Sequence, residues 1–430
     1  MTQAQLAERV SARLGIDPPL DGNYISKLDR GVHTWPNSDY RRAFREELGV
    51  QTDAELGFHC SRSRNEDDFG WAGRVLPGSV ADGDDHPRPS ATPHSLESEE
   101  PLVSAADESA RFLAWAEESN AGDLTLEQMH TDVRRIAHCY LKVPTLPLFA
   151  RARTIRDRAF ALLTGHQRPS QTRDLYAVAG WSLTLLAWMS TDLGRPNAAD
   201  THARAAWLCA DNADHNGLRA WVRATQHTAA FWEHRYIDAA GYAADGLAYA
   251  TSGSAEALLA NAWALDLAKA GRTDDARVAL ARARSATDTA DHADDELSGP
   301  FTCSADRAAG LWSDLQLALG TPAVALVAAD RAVSAFEATP DSGRNLGSER
   351  MVRLQQVRAH LALGELDGAE QAITPVLATP PEHRVRPLLQ RFTDVYTQVS
   401  TYADEEIGRD MREAITAFGR ENVSKELTRE

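Results

Sequence analysis

The stretch GRTDDARVALARA, residues 271–283, decides the fold. Gly271 is followed by Ala276 five residues on, Leu280 at nine and Ala283 at twelve. The same offsets from Gly364 give Ala369, Ile373 and Val376, and from Gly320 they give Ala325, Ala329 and Ala332. From Gly194 they give Ala199, Ala203 and Ala206, and Arg235 stands in for the glycine before Ala240, Ala244 and Leu247. The spacing has a physical reading. A glycine in the left-handed region ends one helix, a small residue in the first turns of the next lets the two helices approach, and the later positions continue the same face. From about residue 105 onward the chain is rich in Ala, Leu and Arg, with apolar residues at helical period and breaks at Gly, Pro and Asp. β-branched alternation is nearly absent, so the expected fold class is all-α.

This pattern resembles the tetratricopeptide repeat over about residues 175–400. The alanines at the five-residue offset lie 36 to 49 residues apart, longer than the regular repeat of ~34, so longer helices or loops are expected. The resemblance implies an α-solenoid of paired antiparallel helices over residues 105–425, with a concave groove lined by the first helix of each pair. In that family the groove positions fall 13, 10, 6 and 3 residues before the turn. Counting back gives Trp181, Thr184, Trp188 and Thr191 from Gly194, and Trp232 from Arg235. It gives Asn261 from Gly271, Arg307 and Asp314 from Gly320, and Arg358 from Gly364. Of these, Trp181, Trp188, Trp232, Asn261, Arg307 and Arg358 suit a peptide or small-molecule effector with an apolar body and a carboxylate, which arginine grips bidentately.

Working back from the array, residues 59–104 are rich in Pro, Ser, Gly and Asp and carry no periodic apolar pattern. Such a stretch cannot offset its own ordering entropy and is expected to be a disordered linker. Phe69 and Trp71 are its isolated aromatics. Residues 1–58 hold a second helical unit. TQAQLAERVSARLG reads as a helix with Thr2 as N-cap and Leu6, Val10 and Leu14 on one stripe. The turn IDPPLDG follows, then a short helix NYISKLDRG with Ile25 and Leu28 inward. A third, NSDYRRAFREELGV, is expected to bury Tyr40, Phe44 and Leu48.

TQAQLA followed by YISKLDRG and REELGV resembles the phage-repressor-like (XRE-type) helix-turn-helix family. The longer run to Phe58 is similar to a group of actinobacterial regulators with repeat-containing C-terminal halves. The resemblance implies a transcription regulator. Its second helix would read the major groove of double-stranded operator DNA. Asn23 and Lys27, four apart, would reach adenine and guanine edges, with Tyr24 on a phosphate or a thymine methyl. Gln3 would grip a phosphate at a helix N-terminus, and Arg30, Arg41 and Arg42 would add phosphate contacts. The family places a helix before TQAQLA, so this head is expected to lack its first helix or to begin upstream. Such regulators also dimerise through their arrays, so a homodimer is implied. A protein-interaction scaffold with a degenerate head is the alternative reading.

Composition bounds the rest. The 430 residues call for two or three domains. The formal net charge of −17 argues against a general nucleic-acid coat. Residues 1–50 carry seven bases and seven acids, so the acidity lies downstream of a neutral head. Four scattered cysteines (Cys60, Cys139, Cys209, Cys303) without a CxxC pair suit reduced thiols in a cytoplasm. No run of apolar residues suits a membrane span. No phosphate-binding, zinc-protease or nucleophile-elbow motif is present, so neither enzyme, cofactor nor metal site is expected. His227 with His234, and His130 with His138, read as surface or capping residues.

Overall fold

The computed structural model describes residues 2–14, 20, 22–30, 36, 38–56, 58, 100–140, 142–250, 252–292, 295–340 and 344–420. Among them every regular element is a helix and no β-strand occurs. No helix there is long and apolar enough to cross a membrane. The chain divides into two compact units, Met1–Glu100 and Pro101–Glu430.

The first unit holds α1 (Gln3–Leu14), α2 (Gly22–Asp29) and α3 (Ser38–Leu48). Thr2 caps α1 reciprocally: its hydroxyl accepts from the Gln5 amide at 3.2 Å and the Gln5 side chain accepts from the Thr2 amide at 2.9 Å. Ala7, Val10, Ile25, Ala43, Phe44 and Phe58 form the core, with Leu6, Leu14, Leu28 and Tyr40 half-buried around it. Leu48, expected inside, is 40 % exposed in the last turn of α3. Gly22, expected in the turn, opens α2 instead. A Cβ there would lie 3.5 Å from the Ala4 backbone, so α2 passes close to α1.

Of the stretch expected to be linker, residues 59–99, including Phe69 and Trp71, lie outside the described residues. Residues 100–104 belong to a helix, α4 (Glu100–Glu117). Next come α5 (Asp123–Cys139) and α6 (Thr145–Leu163). Five hairpins follow: α7 (Pro169–Asp192) with α8 (Pro196–Asn212), α9 (Asn216–Trp232) with α10 (Tyr236–Gly246), and α11 (Gly253–Lys269) with α12 (Thr273–Asp288). The last two pair α13 (Ala305–Ala318) with α14 (Pro322–Ala338), and α15 (Leu346–Leu363) with α16 (Leu366–Leu377). α17 (Arg386–Val399) and α18 (Glu406–Phe418) end the array.

Each hairpin turn uses the same device. Gly194, Gly271, Gly320 and Gly364 have φ between 70° and 78°. The amide one residue later donates five residues back, as from Arg195 to the Ser190 carbonyl at 2.8 Å and from Thr321 to the Gln316 carbonyl at 2.9 Å. This is the Schellman closure of a helix end. In the second hairpin the left-handed residue is His234, φ 58°, and not Arg235. Its ladder therefore runs one residue earlier, with Ala239 and Ala243 fully buried while Ala244 is exposed. Elsewhere the small residues at the five-residue offset, Ala199, Ala276, Ala325 and Ala369, are at most 1 % exposed. In α12 the inward residue of the next turn is Ala279, with Leu280 half-buried beside it.

α7 is buried without a break from Ala177 to Leu193, because α5, α6, α8, α9 and α17 all pack against it. A helix enclosed on every side needs no polar stripe, and its sequence has none.

Ala276 sits where α12 meets its partner, so Ala276→Leu is expected to destabilise the protein by about 1–3 kcal/mol through overpacking. Ala281→Leu on the exposed face of the same helix should stay within about 0.5 kcal/mol. Denaturant midpoints of the two variants check this.

Candidate functional site

The first helices of the five hairpins stack side by side, α7 on α9, α9 on α11, α11 on α13 and α13 on α15, and α17 follows α15. α17 also returns to α7. Arg386 of α17 pairs with Glu233 at 2.9 Å, and the Gln390 amide donates to the Trp232 carbonyl at 2.9 Å. The concave face thereby holds a half-open cavity of about 190 Å³.

All six of these helices contribute walls. α7 presents Trp188 and Asp192, α9 presents Phe231 and Trp232, and α11 presents Leu258 and Leu265. α13 presents Arg307, Gly310 and Asp314, α15 presents Arg350 and Met351, and α17 presents Leu388 and Arg391. Of the residues counted back from the turns, Trp188, Trp232, Arg307 and Asp314 reach the cavity, in the first, second and fourth hairpins. Gly310 matters sterically, since a Cβ there would strike Val352 at 2.5 Å and force α13 away from α15.

One carboxylate organises the charges. Asp314, 2 % exposed, receives Arg391 at 2.6 Å, Arg358 at 3.0 Å and Lys269 at 3.2 Å. Burial opposes its ionisation, but Arg391, Lys269 and Arg358 outweigh that and hold the carboxyl well below the usual range. Arg391 is shared further with Asp394 at 3.0 Å and stacks 5.3 Å from the Trp232 ring centre. Arg358 thus belongs to this ion-pair cluster and is not a cavity wall.

The other expected groove residues divide. Trp188, Trp232 and Arg307 line the cavity. Trp181 does not: it is 1 % exposed, and its indole N–H donates to Glu296 at 2.9 Å. Asn261 is also buried, donating to the Thr287 hydroxyl at 2.9 Å. Thr184 and Thr191 return their hydroxyls to their own helix. The cause lies in the long interval between Gly271 and Gly320. Its extra loop carries Phe301, fully buried, with ring centres of Trp181, Trp188 and Trp221 at 5.5, 5.9 and 5.3 Å. The tryptophans hold this plug, and only Trp188 also faces the cavity. Arg307 anchors the plug by donating to the carbonyls of Pro300, at 2.8 Å, and Thr302.

Asp192, buried at the end of α7, accepts a hydrogen bond from the Tyr140 hydroxyl. Burial raises its pKa to about 7, the Tyr140 bond opposing the shift. Burial likewise raises Tyr140 well above its ordinary value. A second buried pair, His227 with Asp266 at 2.8 Å, lies one helix away. Burial raises the Asp266 carboxyl against the pull of His227.

Ser254, His292 and Asp295 bring together residue types used in nucleophilic catalysis, with the geometry of a cap. The Ser254 hydroxyl is fully buried, donates to Asp295 at 2.6 Å and accepts from the Cys303 amide at 2.8 Å. The arrangement pins the loop before α13 to the start of α11. Among the described residues no three His, Cys, Asp or Glu side chains gather closely enough to hold a metal ion. His234 meets Tyr236 at 2.8 Å and His138 lies 3.3 Å from the Lys142 amine.

In the first unit the basic side chains sort sharply. Arg9 and Arg13 pair with Glu47, Arg41 and Arg45 with Asp53, and Arg42 with Asp39. Among the described residues Lys27 meets no carboxylate, and Arg30 donates only to the Ser26 carbonyl. Gln3 donates to Asp29 at 3.3 Å, tying α1 to the end of α2. Tyr24 is half-buried edge-on against Tyr40 at 5.9 Å. The Asn23 side chain lies outside those described.

Two expectations follow. Asp314→Asn leaves three buried cations short of their anion and should cost about 3–5 kcal/mol of stability, whereas Asp394→Asn at the rim should cost about 1 kcal/mol or less; thermal melts separate the two. Asp192 keeps its proton in the folded state up to about pH 7, while the unfolded chain releases it near 3.8. Its contribution is therefore complete below about pH 4 and lost as pH rises through 7. Relative to Asp192→Asn, the natural protein should lose up to ~4 kcal/mol across that window, measured as the difference in denaturation free energy at each pH.

Compared with protein-family models and with curated proteins, the chain matches no family and no relative.

Proposed function

We propose that this protein is a sequence-specific DNA-binding transcription regulator. Its N-terminal helices read an operator and its helical array senses an effector. The observation that carries the reading is the distribution of unpaired positive charge in the first unit. Of the seven bases in residues 1–50, five pair with carboxylates among the described residues. The other two, Lys27 and Arg30, meet none among the described residues and lie on α2 and directly after it. α2 is the helix whose sequence, YISKLDRG, resembles a recognition helix. A helix that keeps its cations while its neighbours neutralise theirs suits a groove reader whose affinity rests on few phosphate contacts.

Geometry around α2 supports the same reading. Ile25 is anchored in the core and Leu28 and Tyr24 are half-buried, which leaves the opposite face of α2 to Lys27. The Thr2–Gln5 capping interaction and the Gln3–Asp29 bond hold the start of α1 beside the end of α2. The half-open cavity in the array supports effector sensing, and a homodimer would set two readers about one DNA turn apart.

A titration on the DNA upstream of its own coding sequence, at two salt concentrations, tests this. The double variant Asn23→Ala/Lys27→Ala should lose about tenfold or more in specific affinity, and Lys27→Ala alone should flatten the salt slope by about 1. Arg42→Ala, already paired with Asp39, should change little. No preference over random duplex, here and in a selection from genomic fragments, would instead favour an interaction scaffold.

A further inference from the structure

The cavity holds more positive charge than its own acids take up. Arg391 is committed to Asp314 and Asp394. Arg307 and Arg350 also line the cavity and, among the described residues, neither has a carboxylate within ion-pair distance. Arg307 uses one nitrogen on the Pro300 and Thr302 carbonyls, leaving its other N–H groups without an acceptor there. Arg350 makes no hydrogen bond among the described residues. Burial lowers the pKa of both guanidiniums, and Arg350 in turn depresses His383, another wall residue, whose shift is led by burial. The acids on the same walls are occupied: Asp314 faces three cations and Asp192 is bonded to Tyr140.

Arg307 and Arg350 are each half-buried on the cavity wall, and a partly desolvated guanidinium without a carboxylate in contact favours an anion that can pair with it. The cavity also has an apolar and aromatic part, made by Phe231, Trp232, Leu258, Leu265, Leu311 and Met351, beside polar residues such as Thr228, Ser348 and Gln355. The cavity of about 190 Å³ is smaller than the ~300–1,000 Å³ of drug-sized sites. The contact of α17 with α7 crosses the concave face along which a longer chain would lie.

We infer that the array binds a compact organic anion, with a carboxylate or phosphate head held by Arg307 and Arg350 and a flat apolar body against Phe231, Trp232 and Leu265. This rests on the reading of the array as a sensor and is independent of whether the first unit binds DNA. The ligand is a small molecule and not a peptide. Its head satisfies the two guanidiniums bidentately, and its ring displaces water from the apolar walls.

Calorimetric titration of the full chain with 2-naphthoate, 2-naphthyl phosphate and the uncharged 2-naphthamide tests the inference. The better anion should bind saturably with one site per chain and at least about tenfold more tightly than the amide. Which of the two wins identifies the head. Arg350→Gln should bring anion and amide within about twofold of each other, with the amide unchanged, and Arg350→Lys should recover part of the difference. Should the Gln variant fail to fold, the comparison of anion with amide on the natural chain still decides. Equal affinity of all three, or no binding by any at about 1 mM, overturns the inference. The DNA titration above, run on the same preparation, separates the two readings. Anion binding without DNA binding supports this inference and removes the regulator, and DNA binding without anion binding does the reverse.

Discussion

The array is organised around Asp314. One carboxylate on α13 meets a cation from α11, one from α15 and one from α17, so four helices that are distant in sequence share a single charge centre. Hydrophobic packing of alanine ladders brings each helix to its hairpin partner without directing how many hairpins stack before the array turns back on itself. The ion cluster adds that direction, because a buried guanidinium has few acceptable positions and Arg391 finds its acceptor only if α17 has come round to the concave side. A single anion cannot fully offset three cations. The excess is one reason the concave face is cationic inside a chain whose formal charge is −17.

Internal pairing decides which charges remain available in both units. In the first, Asp39, Glu47 and Asp53 absorb five arginines, and among the described residues Lys27 and Arg30 meet no carboxylate. In the second, Asp314 and Asp394 take up Arg391, Arg358 and Lys269, while among the described residues Arg307 and Arg350 form no ion pair. Net charge is a sum over the whole molecule and carries no information about such local remainders. For the same reason the neutral balance of residues 1–50 did not disclose that α2 is the part that keeps its cations.

Much of the fold was legible because its determinants are local. A left-handed turn followed five residues later by alanine is enforced by the approach of two adjacent helices, and it recurs wherever that approach recurs. The misplacement at Arg235 shows the limit. The Schellman closure requires a left-handed residue but not a glycine, and His234 fills the role with no compositional mark. The site was legible only in part. Counting back from the turns reached Trp188, Arg307 and Asp314 but could not separate Trp188 from Trp181, seven residues apart on α7. What separates them is Phe301, more than a hundred residues later, and its only trace in sequence is the long interval before Gly320. Arg391 was out of reach because α17 is not followed by a turn glycine from which to count. Arg350 sits one residue before the counted position in α15. Arg358 was placed on the right helix, but which arginine faces an acid and which faces the cavity is settled by tertiary neighbours.

Return of α17 to α7 also changes what kind of object the array is. An open solenoid behaves as a line of units coupled to nearest neighbours, so it can fray from either end and its stability grows with each added repeat. Contact between α17 and α7 ties the stacked first helices into a ring, with α4–α6 preceding it and α18 following it in the chain. Loss of α17 would then remove more than one unit's worth of contacts. It would release Arg391 from Asp314, uncover the indole of Trp232, and expose α7, whose lack of a polar face suits it only to enclosure. The molecule should accordingly open in one cooperative event instead of unravelling repeat by repeat. A ligand that bridges opposite sides of the ring would act on that single event.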